Sequence, residues 1–265
     1  MSRVARALIA HEFLERLRDR WVIVISVLFA ALASAVGLYG RAAEAHASAL
    51  TGPSLVTLAS LLVPLVALVL GHDAIVGERE RNTLGLLFSL PVGRLEVVVA
   101  KFLGRGLALG LAVGLGLAAA MFAAGPGQAQ VLAQLILPTL LLGLSFVSFG
   151  MLISAVTTRQ VTAASLVVVT WFGLVFFYDL GVLALLIATD GAVSQQVVAG
   201  LVAANPAGLY RIVLMDRLAG PEVLAGLGLT AQLPGALGQA AIWAGWIVGP
   251  LLLSGAALRA QKVAK

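Results

Sequence analysis

Long apolar blocks alternate with shorter polar stretches along this chain. The apolar blocks run Trp21–Gly40, Leu55–Val76, Val97–Ala124, Val131–Val156, Thr162–Ala188 and Ala236–Leu258. Each is about 20 residues or longer, the length an α-helix needs to cross a bilayer. Pro64, Gly71, Pro138 and Pro250 lie inside or at the edge of these blocks. Membrane helices tolerate such residues better than soluble ones. Residues 1–20 are polar and mixed in sign. Wound as a helix, they put Ala10, Phe13, Leu14, Leu17 and Trp21 on one face and Glu12, Glu15, Arg16 and Asp19 on another. That pattern predicts a helix lying along the membrane surface, with Trp21 at headgroup level. Ala33-Ser-Ala35 resembles a signal-peptidase site, but the apolar stretch is long for a signal and acids precede it. The expectation is a retained span. The fold class is therefore an all-α integral membrane protein with six transmembrane helices and an N-terminal interfacial amphipathic helix.

Composition supports that class. Of 265 residues, 61% are hydrophobic and 11% charged, less than half the charge of an average soluble domain. The net charge of +5 does not indicate nucleic acid, because most Lys and Arg flank the apolar blocks. Topology and contact with membrane lipid headgroups account for them better. If the N-terminus is inside, all of the 17 Lys and Arg except Arg41, Arg211 and Arg217 fall on the inner side. The positive-inside rule then places both termini in the cytoplasm, as in a multi-pass protein of a bacterial inner membrane.

Few residues suggest chemistry. There is no Gly-Lys pair and hence no Walker A phosphate loop. His11, His46 and His72 are separated by apolar blocks and Cys is absent, so metal ligands at ordinary spacing are missing. Ser145, in Gly-Leu-Ser, has no histidine after it and reads as a small packing residue rather than a nucleophile. Asp179, beside Tyr178, is the one acid well inside an apolar block. An acid at that depth faces a cavity or partner helix, or bonds Tyr178 or a neighbouring helix. Lys101 and Arg105 sit in the first turns of the third block and are expected to snorkel to the interface. Asp73 and His72 end the second block, where capping or headgroup contact is expected. Gly106, Gly110 and Gly114 form a small-residue stripe suited to close helix packing.

Two polar regions stand out. Residues 77–96 carry a charged cluster, Glu78-Arg79-Glu80-Arg81, before a short helix predicted over Thr83–Leu90. Leu84, Leu87 and Phe88 would share one side of it, and Pro91 would stop it. Residues 189–235 would lie outside. Asn205-Pro206 there reads as an N-cap followed by proline at the first helical position, with Gly220-Pro221 as a stop. The apolar residues between them do not settle on one clean face, which leaves two readings: a helix on the outer membrane surface or supporting a partner, and a helical cap over the bundle.

The inner loop resembles the signature of ABC-2 type permeases: a charged run, Gly-Thr-Leu, Leu-Leu, then Pro-x-x-Arg leading into the third span. Glu78, Arg79, Glu80, Thr83, Leu84, Leu86, Leu87, Pro91, Arg94 and Lys101 match as they stand, while Asn82 replaces the usual glycine and Ala100 a frequent one. Arg-Asp-Arg-Trp21, Asp73–Glu78, Tyr178-Asp179-Leu180 and Asn205-Pro-x-x-x-Tyr210-Arg211 resemble one subgroup. These are the permeases of transporters that help mature nitrous oxide reductase in denitrification. The resemblance implies a six-span permease domain over 21–265 that forms a homodimer and docks on a dimer of cytoplasmic ABC ATPases. ATP and Mg would be bound by that partner, no cofactor by this chain, and the chain would not itself be an enzyme. Glu78, Arg79, Glu80, Thr83, Leu84, Leu87, Pro91 and Arg94 would form the coupling element. A periplasmic copper-site assembly protein is the implied outer partner, for which Asn205, Tyr210 and Arg211 are contact candidates. An ABC-2 exporter of another substrate is the nearest alternative. A secondary transporter or channel would show internal repeats, broken helices and several buried charges.

Overall fold

The computed structural model describes residues 3–18, 51–89, 91–124, 126–219 and 234–260, with positions 23, 27, 30, 31 and 34. The described residues are helical apart from short turns. Helix α1 is Arg3–Leu17, α2 Thr51–Gly71, α3 Val76–Glu80 and α4 Leu84–Ser89. The long helices α5, Arg94–Ala124, and α6, Pro126–Val156, follow. Next come α7, Gln160–Phe172, a π-helical turn at Gly173–Phe177, and α8, Tyr178–Ala188. Helices α9, Gln195–Ala204, α10, Pro206–Ala219, and α11, Ala236–Ala260, complete the described chain.

Five described helices are long and apolar enough to cross a membrane: 53–80, 94–122, 132–156, 160–188 and 236–260. They correspond to the second through sixth apolar blocks. The first block, Trp21–Gly40, with Trp21 and Ala33-Ser-Ala35, lies outside the described residues except for the five single positions, which are helical. Gly220-Pro221 and the basic tail at Lys262 and Lys265 also lie outside them. At 31 residues α5 is about 46 Å long, which exceeds a hydrocarbon core of about 30 Å. Standing near the membrane normal, it would extend past the hydrocarbon core into the headgroup region.

Helix α6 occupies the centre, packing against α2, α5, α10 and α11. Leu142, Phe146, Val147 and Met151 are buried there. Helices α2 and α6 cross closely. A Cβ on Gly71 would lie 2.5 Å from the Val147 carbonyl oxygen, and one on Gly150 would lie 2.7 Å from that of Leu68. Only glycine lets two backbones approach this closely. The stripe at Gly106 and Gly110 faces the Leu144 and Leu140 side chains of α6, while Gly114 faces open space.

Helices α9 and α10 form a pair bent by 116°. Of the two readings the sequence left open for this segment, a surface or partner helix and a cap over the bundle, the packing of α10 against α2, α6 and α11 matches the second. Leu209, Tyr210 and Leu214 are fully buried. Its apolar residues show no single face because α10 is covered on several sides, as a helix apolar all round must be.

Candidate functional site

The ends of α1, α2, α5, α6, α7 and α11 gather around the charged loop. Its organisation follows from the dipoles of those helix ends. Arg79 donates from Nη1 to the Thr157 carbonyl and, at 3.4 Å, from Nη2 to that of Ala155, closing the C-terminus of α6. Glu80 Oε1 accepts from the Gln160 backbone N–H at 2.7 Å, at the N-terminus of α7. A cation at a helix C-terminus and an anion at an N-terminus are each favoured, by about 0.3–1 kcal/mol. Two adjacent loop residues of opposite charge thus fit the two ends of one inter-helix turn.

Glu78 turns the other way. It accepts from Lys101 Nζ of α5 at 3.0 Å, and from the hydroxyl of Thr83. Arg94 closes the loop's far end. Its guanidinium donates to the Leu258 carbonyl and, at 3.2 Å, to that of Arg259, so it caps α11. The same group lies 5.2 Å over the Phe88 ring of α4. The short loop therefore holds α5, α6, α7 and α11 through Glu78, Arg79, Glu80 and Arg94 respectively.

Asn82 sits between α3 and α4 with φ of 57°, in the left-handed region. The permease signature that this loop resembles has glycine at this position, and asparagine is the side-chain-bearing residue that best tolerates this conformation. The replacement leaves the turn intact. Leu84 and Phe88 pack on the core and Leu87 is half-buried, whereas Gly85, Leu86 and Ser89 face outward and Pro91 is exposed in the following turn. Leu86 is 70% exposed.

Beneath the loop lies a cluster that the sequence did not suggest. Glu12 of α1 pairs with Lys101, and its Oε2 lies 3.3 Å from Arg105 Nε without hydrogen-bond alignment. Arg105 also holds Asp73 at 2.5 Å and donates to the Leu70 carbonyl, and Arg16 pairs with Asp73 at 2.9 Å. With Glu78, three acids and three bases meet. Lys101 and Arg105 are each 1% exposed, so neither snorkels. Asp73 is an ion-pair partner rather than a cap or headgroup contact.

The cluster also fixes which way α1 faces. Glu12 and Arg16 of its polar face are buried against α5, while Ala10 and Leu14 of its apolar face point outward. A Cβ on Gly104 would meet Glu12 Cβ at 2.6 Å, so α1 lies directly on the α5 backbone. Lys101 and Arg105, one turn apart, supply the counter-charges without which Glu12 would be buried unpaired. A second missed residue is Ser154 of α6. Its hydroxyl accepts from both the Ile75 and Val76 N–H groups at 2.9 Å and caps α3, which Ile75 cannot cap itself. A hydroxyl at the end of a span was the only available signal.

At the opposite end, Asp179 pairs with Arg211 of α10, each about one-third exposed. Tyr178 donates to the Leu201 carbonyl at 2.7 Å. Asn205 has two roles. Its Oδ1 accepts from Ala207 N at 3.0 Å, the N-cap read from sequence, and its Nδ2 donates to the Leu174 carbonyl within the π-helical turn. A π-helical turn shifts the hydrogen-bond ladder, and Asn205 occupies a carbonyl there. Asn205 and Tyr210 face inward, 1% and 0% exposed, so Arg211 alone of the three outer candidates has accessible surface. Asn205→Ala is expected to lower stability by about 1–3 kcal/mol through loss of both bonds. Thermal unfolding of the detergent-solubilised chain checks it, with Asp179→Asn expected to have the smaller effect.

A described bundle of apolar helices, tied at one end to a charged loop with an outward-facing tip, is the architecture of a membrane permease subunit. The model of the ABC-2 family transporter proteins matches residues 6–263, and the chain belongs to that family. It is 36% identical over 264 residues to a protein named probable ABC transporter permease protein NosY, from Stutzerimonas stutzeri, covering 94% of this chain and 95% of that protein. A protein of the same name from Pseudomonas aeruginosa is also 36% identical, over 247 residues and 88% of each chain. The chain is thus an ABC-2 permease of the NosY-like kind.

Proposed function

We propose that this chain is the membrane subunit of an ABC transporter driven by a separate cytoplasmic ATPase dimer, with residues 77–96 as the coupling element. The observation that carries this reading is the division of labour within the loop. Arg81, Gly85, Leu86 and Ser89 face outward, where an ATPase can dock, while Glu78, Arg79, Glu80 and Arg94 each grip a different helix. A push on the tip is therefore divided among four helices. The buried ion cluster adds α1 and the end of α2, so the loop end of the bundle moves as one body. ATP binding in the partner biases a two-state bundle, and the partner's differential affinity for the two states sets the extent of the shift.

On the resemblance of its motifs to the permeases of nitrous oxide reductase maturation, the chain serves copper-site assembly of that enzyme. It acts there as a homodimer in the inner membrane, its termini in the cytoplasm. A periplasmic assembly protein meets the face near Arg211. The output is a transported species or a relayed force; without cysteine the chain is better suited to either than to ligating copper.

The test is co-expression with the neighbouring ATPase, comparing wild type with Glu78→Ala/Arg79→Ala/Glu80→Ala. The variant is expected to retain the ATPase on purification, because Leu86 is untouched, but its ATP turnover should fall to that of the ATPase alone. A wild-type chain that purifies stably folded and without the ATPase would overturn the proposal.

A further inference from the structure

Between the first turn of α5 and the last turns of α11 runs a shallow groove of about 80 Å³, lined by Leu95, Leu252, Gly255, Ala256 and Arg259. Drug-sized ligands occupy pockets of about 300 Å³ or more, so this groove is too small for one. Its apolar lining has room for a few methylene groups of a longer chain that continues along the helix surface. Its floor is tight, since a Cβ on Gly255 would meet Leu95 Cδ1 at 2.9 Å. Leu252, Ala256 and Arg259 form one exposed stripe on α11, apolar for two turns and cationic at its end.

The level of the groove is set by Arg94, which reaches the Leu258 and Arg259 carbonyls and so holds the start of α5 beside the end of α11. Those helix ends mark where apolar bundle gives way to charged loop. The groove's apolar part thus lies at acyl-chain depth, with the exposed Arg259 guanidinium at headgroup depth. Arg259 supplies charge to match a phosphate and Leu252 and Ala256 an apolar track to match a chain.

We infer that this groove is a binding site for an anionic phospholipid, with an acyl chain along Leu252 and Ala256 and the phosphate on Arg259. The leaflet to which that lipid belongs rests on the proposed orientation, and the site on its geometry alone. A bound lipid would fix the spacing between α11 and the start of α5, next to Arg94. The coupling element would then sense the charge of the surrounding membrane.

Native mass spectrometry of the full chain, with any subunit that copurifies, tests the site. Delipidated protein is titrated with phosphatidylglycerol or with phosphatidylcholine carrying the same acyl chains. One phosphatidylglycerol per chain is expected to bind about fivefold tighter than phosphatidylcholine, from one added basic contact near a membrane surface. Arg259→Gln should abolish that preference, and Ala256→Trp, which fills the groove, should abolish retention of both lipids. Both positions are exposed, and the gel-filtration profile checks that the variants fold. Arg3→Gln/Arg6→Gln should change nothing, because neither residue lines the groove. Equal binding of the two lipids by wild type would overturn the inference. So would an Arg259→Gln effect no greater than that of Arg3→Gln/Arg6→Gln, which would assign the preference to diffuse surface charge.

Discussion

Lys101→Met is expected to be among the most destabilising single substitutions in this chain, by about 3–5 kcal/mol, because it leaves Glu12 buried without its closest counter-charge. Lys101 is 1% exposed and bonds both Glu12 and Glu78, and the equally buried Glu12 cannot turn to solvent without moving α1. The cluster's charges balance as three acids against three bases, and removing one base leaves an excess anion at low dielectric. Restoring balance should restore stability. Glu12→Gln/Lys101→Met is expected to be substantially more stable than Lys101→Met alone, a coupling that a double-mutant cycle measures. Arg81→Ala is the control. Its contact with Glu15 is 3.8 Å long and largely exposed, so thermal unfolding should not detect its loss.

Gly150→Leu is the second large effect, expected at about 3 kcal/mol or more, at or beyond the upper end for overpacked cores. The obstacles at Gly150 are backbone atoms, the Leu68 carbonyl oxygen at 2.7 Å and Gly71 Cα at 3.0 Å, so no rotamer change relieves them. Helices α2 and α6 would have to separate where α2 leads into the ion cluster and the loop. Loss of stability should therefore be accompanied by loss of coupling to the ATPase. Gly114→Ala provides the contrast. With nothing within 4 Å of its Cβ, it should be neutral or stabilising by up to about 1 kcal/mol, since alanine is the better helix former. Thermal unfolding of the two variants in one detergent separates a true crossing from a mere glycine pattern.

The spans were legible because lipid demands continuous apolar stretches, and five of the six apolar blocks lie on long described helices. The Asn205-Pro206 cap and the shared inner side of Leu84, Leu87 and Phe88 on the loop helix were legible for a similar reason. Each depends on neighbours close in sequence. The charges were harder to place. Glu78, Arg79 and Glu80 look like solvated surface in sequence because two of their partners are backbone groups, the carbonyls ending α6 and the amide starting α7. Such groups carry no residue signature. Helix α1 has a real apolar face, but periodicity alone does not say whether lipid or protein covers it. Only the arrangement of Lys101, Arg105 and Asp73 beneath α1 decides that the polar face turns inward. Helix α10 lacked a clean face because it is buried on several sides, and that lack was itself the available clue. Arg211 and the deep acid Asp179 were each visible, but their pairing needed the bend between α9 and α10.

The central claim is that the outward tip of residues 77–96 contacts the ATPase while the same loop grips the bundle. Because the chain contains no cysteine, one introduced thiol reports its own surroundings. The most direct measurement introduces Leu86→Cys and, separately, Val197→Cys on α9, both at exposed positions, and treats membranes co-expressing the ATPase with a short thiol-to-amine crosslinker. The account predicts a permease–ATPase adduct from Leu86→Cys that changes in yield on ATP addition, and none from Val197→Cys. An adduct from Val197→Cys, or none from Leu86→Cys in a complex that still copurifies, would contradict it.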